Sequence, residues 1–146
     1  MKSIFDIPQM LLRLALGLGF IFPVMDRLGW LGLQGENGNA WGNWNNFTAY
    51  THTLMPYLDL SAAQIVGAVA TVLELVFGIA LIIGFKTRLA ALGSALLTLA
   101  FAVSMLLFAG YRAPFSYSVF VCSAASWLLA NIPYYRWSIQ RDRQAL

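Results

Sequence analysis

Glu74 is the residue whose setting gives its side chain chemical weight. It lies near the middle of residues 61–84, SAAQIVGAVATVLELVFGIALIIG, where it is the one formal charge. An ionised carboxylate at that depth of a bilayer costs roughly 2.5–3.5 kcal/mol, so it needs a cation, a wet pocket or a proton. Gln64, Gly67, Thr71, Glu74 and Gly78 recur every three or four residues and share one helical face. Small residues on that face let a neighbouring helix approach closely, which points the stripe into a bundle.

Arg13 is the candidate partner. It sits about five residues inside the apolar run 8–25, roughly 8 Å from that run's edge at 1.5 Å per residue. Glu74 is about ten residues, roughly 15 Å, from the same edge on an antiparallel helix. Two long side chains can span the offset of about 7 Å, giving a buried pair, direct or through water, suited to proton handling. Two other readings stand beside it. Arg13 can snorkel to the lipid headgroups while Glu74 stays protonated or bonds hydroxyls, and an ion pair can simply fix helix register.

Arg13, Gly17, Phe20, Val24 and Arg27 share a face of the first helix, which hangs Arg27 over the mouth of the same pocket. Its neighbour Asp26 could join Arg112 and His52 in a second charged cluster, the alternative being solvated loop charges. Residues 26–60 carry Trp41, Trp44, Phe47, Tyr50 and Tyr57, too many rings for a disordered linker. They form either an interfacial aromatic belt or a lid over the bundle. The candidate ligand-binding residues are therefore Thr71, Gln64, Arg27, Asp26, Trp41, Trp44 and Tyr50. His52 is the only histidine, so no metal site is expected.

The elements that must position these groups follow from composition. The chain of 146 residues is 60% hydrophobic and 10% charged, with mean hydropathy +0.69, against about 25% charged residues in soluble domains. This is an all-α membrane protein, read as a four-helix transmembrane bundle with spans at about 8–25, 61–84, 89–109 and 115–132. Arg13 within the first run, and no A-x-A site after it, argue for a retained span rather than a cleaved signal. Pro23 should bend or end that helix. A net charge of +3 and a pI near 9.3 could suggest nucleic acid, but the charges flank apolar runs, so none is expected as a partner. Lys2, Lys86, Arg88, Arg136, Arg141 and Arg143 fall on the terminus side, against Arg27 and Arg112 opposite. That bias places both termini in the cytoplasm of a bacterial inner membrane and the long aromatic-rich loop between the first two spans outside. Cys122 stands alone, which excludes a CxxC pair and multi-cysteine clusters.

The stretch Leu12-Arg13-Leu14-Ala15-Leu16-Gly17, the Asp26-Arg27 turn, the glutamate-bearing helix and the join Gly84-Phe85-Lys86-Thr87-Arg88-Leu89-Ala90-Ala91 together resemble the DoxX-like membrane proteins. The resemblance covers nearly the whole chain. Its first helix commonly ends in a glycine and a lysine, where this chain has Pro23 and Arg27, and the loop Trp41-Gly42-Asn43-Trp44 marks a subfamily. The resemblance implies a four-span fold and a link to quinol-oxidase, thiosulfate:quinone or oxidative-stress systems, while fold alone does not fix a reaction.

Three functions follow. The first is a small inner-membrane subunit associated with an oxidoreductase, with a quinone between the helices and Glu74 exchanging its proton. The second is a non-catalytic membrane partner or assembly protein whose buried charges specify packing. The third is a small proton-coupled transporter, which a homo-oligomer would make large enough. No haem or iron–sulfur ligand set is visible and no covalent cofactor is implied, so whether the chain is itself an enzyme stays open.

Overall fold

The computed structural model describes residues 4–139, so Lys2, Arg141 and Arg143 of the charge asymmetry lie outside the described residues. Every regular element among those described is helical. The order is α1 (Asp6–Arg27), a 3-10 turn (Glu36–Gly38), α2 (Trp44–Thr53), α3 (Leu60–Ile83), α4 (Thr87–Ser104), α5 (Arg112–Ser116) and α6 (Val119–Ala130). α4 runs on into a π-helical turn, Met105–Ala109. Three helices are long and apolar enough to cross a membrane: Asp6–Arg27, Leu60–Ile83 and Thr87–Ala109.

The fourth expected span, 115–132, is not one helix. α5 stops at Ser116, Ser118 adopts a left-handed φ of 54°, and α6 then runs for 12 residues, about 18 Å. Serines, a residue type with weaker helix preference than alanine or leucine, flank Tyr117. Pro23 does not end α1 either. The helix continues a further turn to Arg27, so Asp26 and Arg27 stand on the helical lattice rather than in a turn. The lost donor at Pro23 is one bond in a helix otherwise supported by packing.

α1 packs chiefly on α3, and α4 on α6, with α2 laid over α3. Backbone contact sets the α1–α3 register. A Cβ at Gly17 would stand 2.9 Å from the Gly78 carbonyl oxygen, and one at Gly78 would stand 3.0 Å from that of Gly17. Only glycine at both positions allows this approach, and in lipid such close packing replaces the missing hydrophobic drive between helices. Asp59 caps α3 by accepting from Ala62 N–H at 2.8 Å. At the other end Gly84, at φ 74°, is the left-handed terminator, with Phe85 N–H donating to Ala80 carbonyl at 2.9 Å.

The interior is built from small side chains, with Ala90, Ala91, Ala95 and Ala102 of α4 at most 5% exposed. Ser94 and Thr98 are buried there too and bond back to carbonyls of their own helix, Ser94 Oγ to Ala90 and Thr98 Oγ1 to Ser94, both at 2.7 Å. The outward faces are apolar and bare, as with Leu18, Phe22, Val72, Val76, Leu96 and Val121. In water such surface would be untenable; in acyl chains it is the expected solvent-facing surface.

Candidate functional site

Glu74 is 3% exposed and does find a cation, but that cation is Arg27. Arg27 Nη1 donates to Glu74 Oε2 and to Thr71 Oγ1 at 2.9 Å, and Nη2 donates to Glu74 Oε1 at 3.1 Å. The expected Arg13–Glu74 pair is therefore corrected. The cause lies in register and side-chain direction. With Gly17 against Gly78, residue 21 stands level with Glu74, leaving Arg13 eight residues away, about 12 Å, and Arg27 six residues away, about 9 Å. Helical side chains lean toward the N-terminus. Arg13 thus leans away from Glu74, whereas Arg27 and Glu74, on antiparallel helices, lean toward each other.

Arg13 has a different use. At 2% exposed it is among the largest fully buried side chains. Its Nε donates to Leu81 carbonyl at 2.9 Å and Nη2 to Ile82 carbonyl at 3.1 Å, orphan acceptors in the last turn of α3. Nη1 and Nη2 also reach Arg136 carbonyl at 3.1 Å, Ser138 Oγ at 2.8 Å and Trp137 carbonyl at 3.3 Å. A cation here complements the negative end of the α3 dipole and straps segment 134–139 across the base of the bundle. Gln9 Nε2 adds a bond to Arg136 carbonyl at 3.0 Å, and Asp6 accepts from Arg136 Nη1 at 2.6 Å and Tyr134 Oη at 2.8 Å.

Asp26 joins neither Arg112 nor His52 and is not a solvated loop charge. It is 5% exposed and its carboxylate accepts three successive backbone N–H groups. Ala40 and Trp41 donate to Oδ2 at 2.8 and 3.1 Å, and Gly42 to Oδ1 at 2.8 Å. These bonds between a charged acceptor and amides are among the stronger hydrogen bonds. They pin the loop so that Trp41 comes over Arg27, 5.0 Å from ring centroid to guanidinium carbon, while Phe47 of α2 covers it at 4.1 Å. Trp41 and Phe47 meet edge to face at 5.4 Å, and Trp44 and Tyr50 flank them at 5.2 Å from Phe47 and 6.3 Å from Trp41. Gly67 makes room for this lid, since a Cβ there would approach the Phe47 ring to 3.2 Å.

The structure thus gathers Asp26, Arg27, Trp41, Trp44, Tyr50, Thr71 and Glu74 at one end of α1 and α3, with Phe47 as a member the sequence reading left outside the site. Gln64 is exposed and stays out. Tyr57 is also exposed and meets Phe108 instead, at 5.7 Å. His52 Nε2 lies 3.0 Å from Leu58 carbonyl. Burial pushes the Tyr50 phenol above its ordinary pKa, with Tyr117 adding to the rise. Chemically, the cluster is a charge pair held out of water by rings, with the carboxylate's two oxygens both taken by one guanidinium.

A family model described as DoxX matches residues 9–107, more than half of the chain and a stretch that holds every member of this cluster. No curated protein and no solved structure matches the chain.

Proposed function

Since the chain belongs to the DoxX family of membrane proteins, we propose that it is a small inner-membrane subunit that serves an oxidoreductase system as a non-catalytic membrane partner. The observation that carries this reading is the use of the buried charges. Both oxygens of Glu74 are engaged by Arg27, and all three Arg13 nitrogens are spent on carbonyls and a hydroxyl of the same chain. Proton exchange at Glu74 would first have to break its pair, so this arrangement favours packing over acid–base work. The same point weighs against a proton-coupled transporter. The oxidoreductase link rests on what the family resemblance implies, and a quinone would be the lipophilic substrate of such a partner.

We read the topology as four crossings with both termini in the cytoplasm. α4 leaves from the end where Arg13 sits, and residues 134–139 are back at that end, bonded to Arg13 and to Ile83 carbonyl. On this reading residues 110–133 return across the bundle between them, through α5 and α6.

Purification from native membranes in mild detergent, followed by mass spectrometry, tests the function. A redox subunit recovered in constant ratio supports it. Recovery of the chain alone, as a monomer or homo-oligomer, overturns it. A quinone recovered in constant ratio without a protein partner would transfer the assignment to a quinone-binding protein.

A further inference from the structure

Arg27 has donors to spare. A guanidinium carries five N–H groups. Nη1 uses two, on Thr71 and Glu74, and Nη2 uses one, on Glu74. Nε is buried with no partner at all. Because Glu74 takes the fork between the two Nη atoms, the remaining Nη2–H lies beside Nε–H, and the two form a second fork along the edge of the group. Leaving such donors unsatisfied away from water is costly, and Arg27 is only 4% exposed.

We propose that this edge is a binding site for a neutral carbonyl oxygen on a lipophilic molecule, admitted when the lid lifts. The charges around it select the ligand. Glu74 already balances Arg27, so a second anion would bring an uncompensated charge into a buried site. A carbonyl oxygen accepts both N–H groups without adding charge. Trp41 and Phe47 cover the guanidinium face, so the ligand approaches in the plane of the group, along the rings' edges. We place the entry at segment 40–42, because it carries Trp41 over Arg27 and is held by Asp26, which would then be the latch. This site stands independently of the partner reading, because its test uses the isolated chain.

The test is calorimetric titration of the full chain in mild detergent with three probes of similar chain length: a decyl-substituted benzoquinone, dodecanamide and dodecanoate. Binding of either neutral probe near one per chain, with dodecanoate weaker by about tenfold or more, is the expected result. The quinone and amide arms tell a ring carbonyl from an acyl one. Arg27→Lys should lose about tenfold in affinity while keeping the charge for Glu74, because an ammonium has no fork. Asp26→Asn should speed association without abolishing binding. Infrared spectroscopy of the wild-type complex gives a readout free of mutant folding, in which the bound carbonyl stretch should fall below its value in detergent alone. No neutral probe bound, equal binding of the carboxylate, or an unshifted stretch overturns the proposal.

Discussion

At the residue scale, two arginines on one helix face do unlike jobs, and what separates them is the direction each leans. The sequence placed both on the inward stripe of α1, and both are buried. It points Arg13, not Arg27, at Glu74, and that pairing is wrong because depth counted from the ends of the apolar runs misses the register, which the Gly17–Gly78 contact fixes. A signal was present all the same: the N-terminal lean of helical side chains favours Arg27 for Glu74 on an antiparallel neighbour. A double-mutant cycle distinguishes the pairs. Glu74→Leu alone should cost up to about 3–5 kcal/mol by stranding the Arg27 charge, and Arg27→Met with Glu74→Leu should recover much of it. Denaturation in detergent should show this coupling for Arg27, whereas the Arg13–Glu74 cycle should stay within about 0.5 kcal/mol of additivity.

Tyr50 supplies the pH dependence at this scale. Its folded pKa is raised by burial and by Tyr117, so the folded lid holds the phenolic proton more tightly than the unfolded chain does. The resulting stability is fully present below the unfolded value of about 10 and is lost as pH rises through the folded value. Ultraviolet titration should show a late tyrosine step above that range, and Tyr50→Phe should remove it and flatten the alkaline loss of stability. A profile unchanged by the substitution would count against burial of this ring.

At the scale of elements, the long runs were legible and the irregular ones were not. α1, α3 and α4 announce themselves because twenty or so apolar residues admit one structure in lipid. The lid was legible only as a surplus of rings. What organises it is three amide bonds to Asp26, and backbone donors leave no mark in a sequence. Removing that acceptor should therefore act on the loop and spare the spans. Asp26→Ala should make 30–43 the first site of limited proteolysis, with helical content by circular dichroism unchanged, while the wild type resists. Gly78→Leu should do the reverse. It forces α1 from α3, where a Cβ already meets the Gly17 carbonyl at 3.0 Å, and should lower thermal stability with the Asp26 bonds intact. Cleavage in 30–43 at equal rates in wild type and Asp26→Ala would show that the latch holds nothing.

For the whole molecule, the partition of charge between the two ends is sharper in three dimensions than in the sequence. Arg27 counts toward the lid end by position, but it is buried against Glu74 and presents no charge to a membrane surface. Among the described residues that leaves Arg112 as the exposed arginine at the lid end, facing Lys86, Arg88 and Arg136 at the other. Because Lys and Arg near span ends set orientation and acidic residues contribute little, the Arg13 end should lie in the cytoplasm and the lid outside. The break at Ser118 makes this worth measuring, since α6 alone, at about 18 Å, is shorter than a hydrocarbon core of about 30 Å. With Cys122 changed to alanine, a cysteine at Asn37 in the lid loop should react with a membrane-impermeant thiol reagent in intact cells. A cysteine at Asn131, past the end of α6, should react only after the membrane is opened. Labelling at both positions in intact cells would mean that α5 and α6 do not cross as one span; labelling at Asn131 alone would invert the molecule and put the strap held by Arg13 outside.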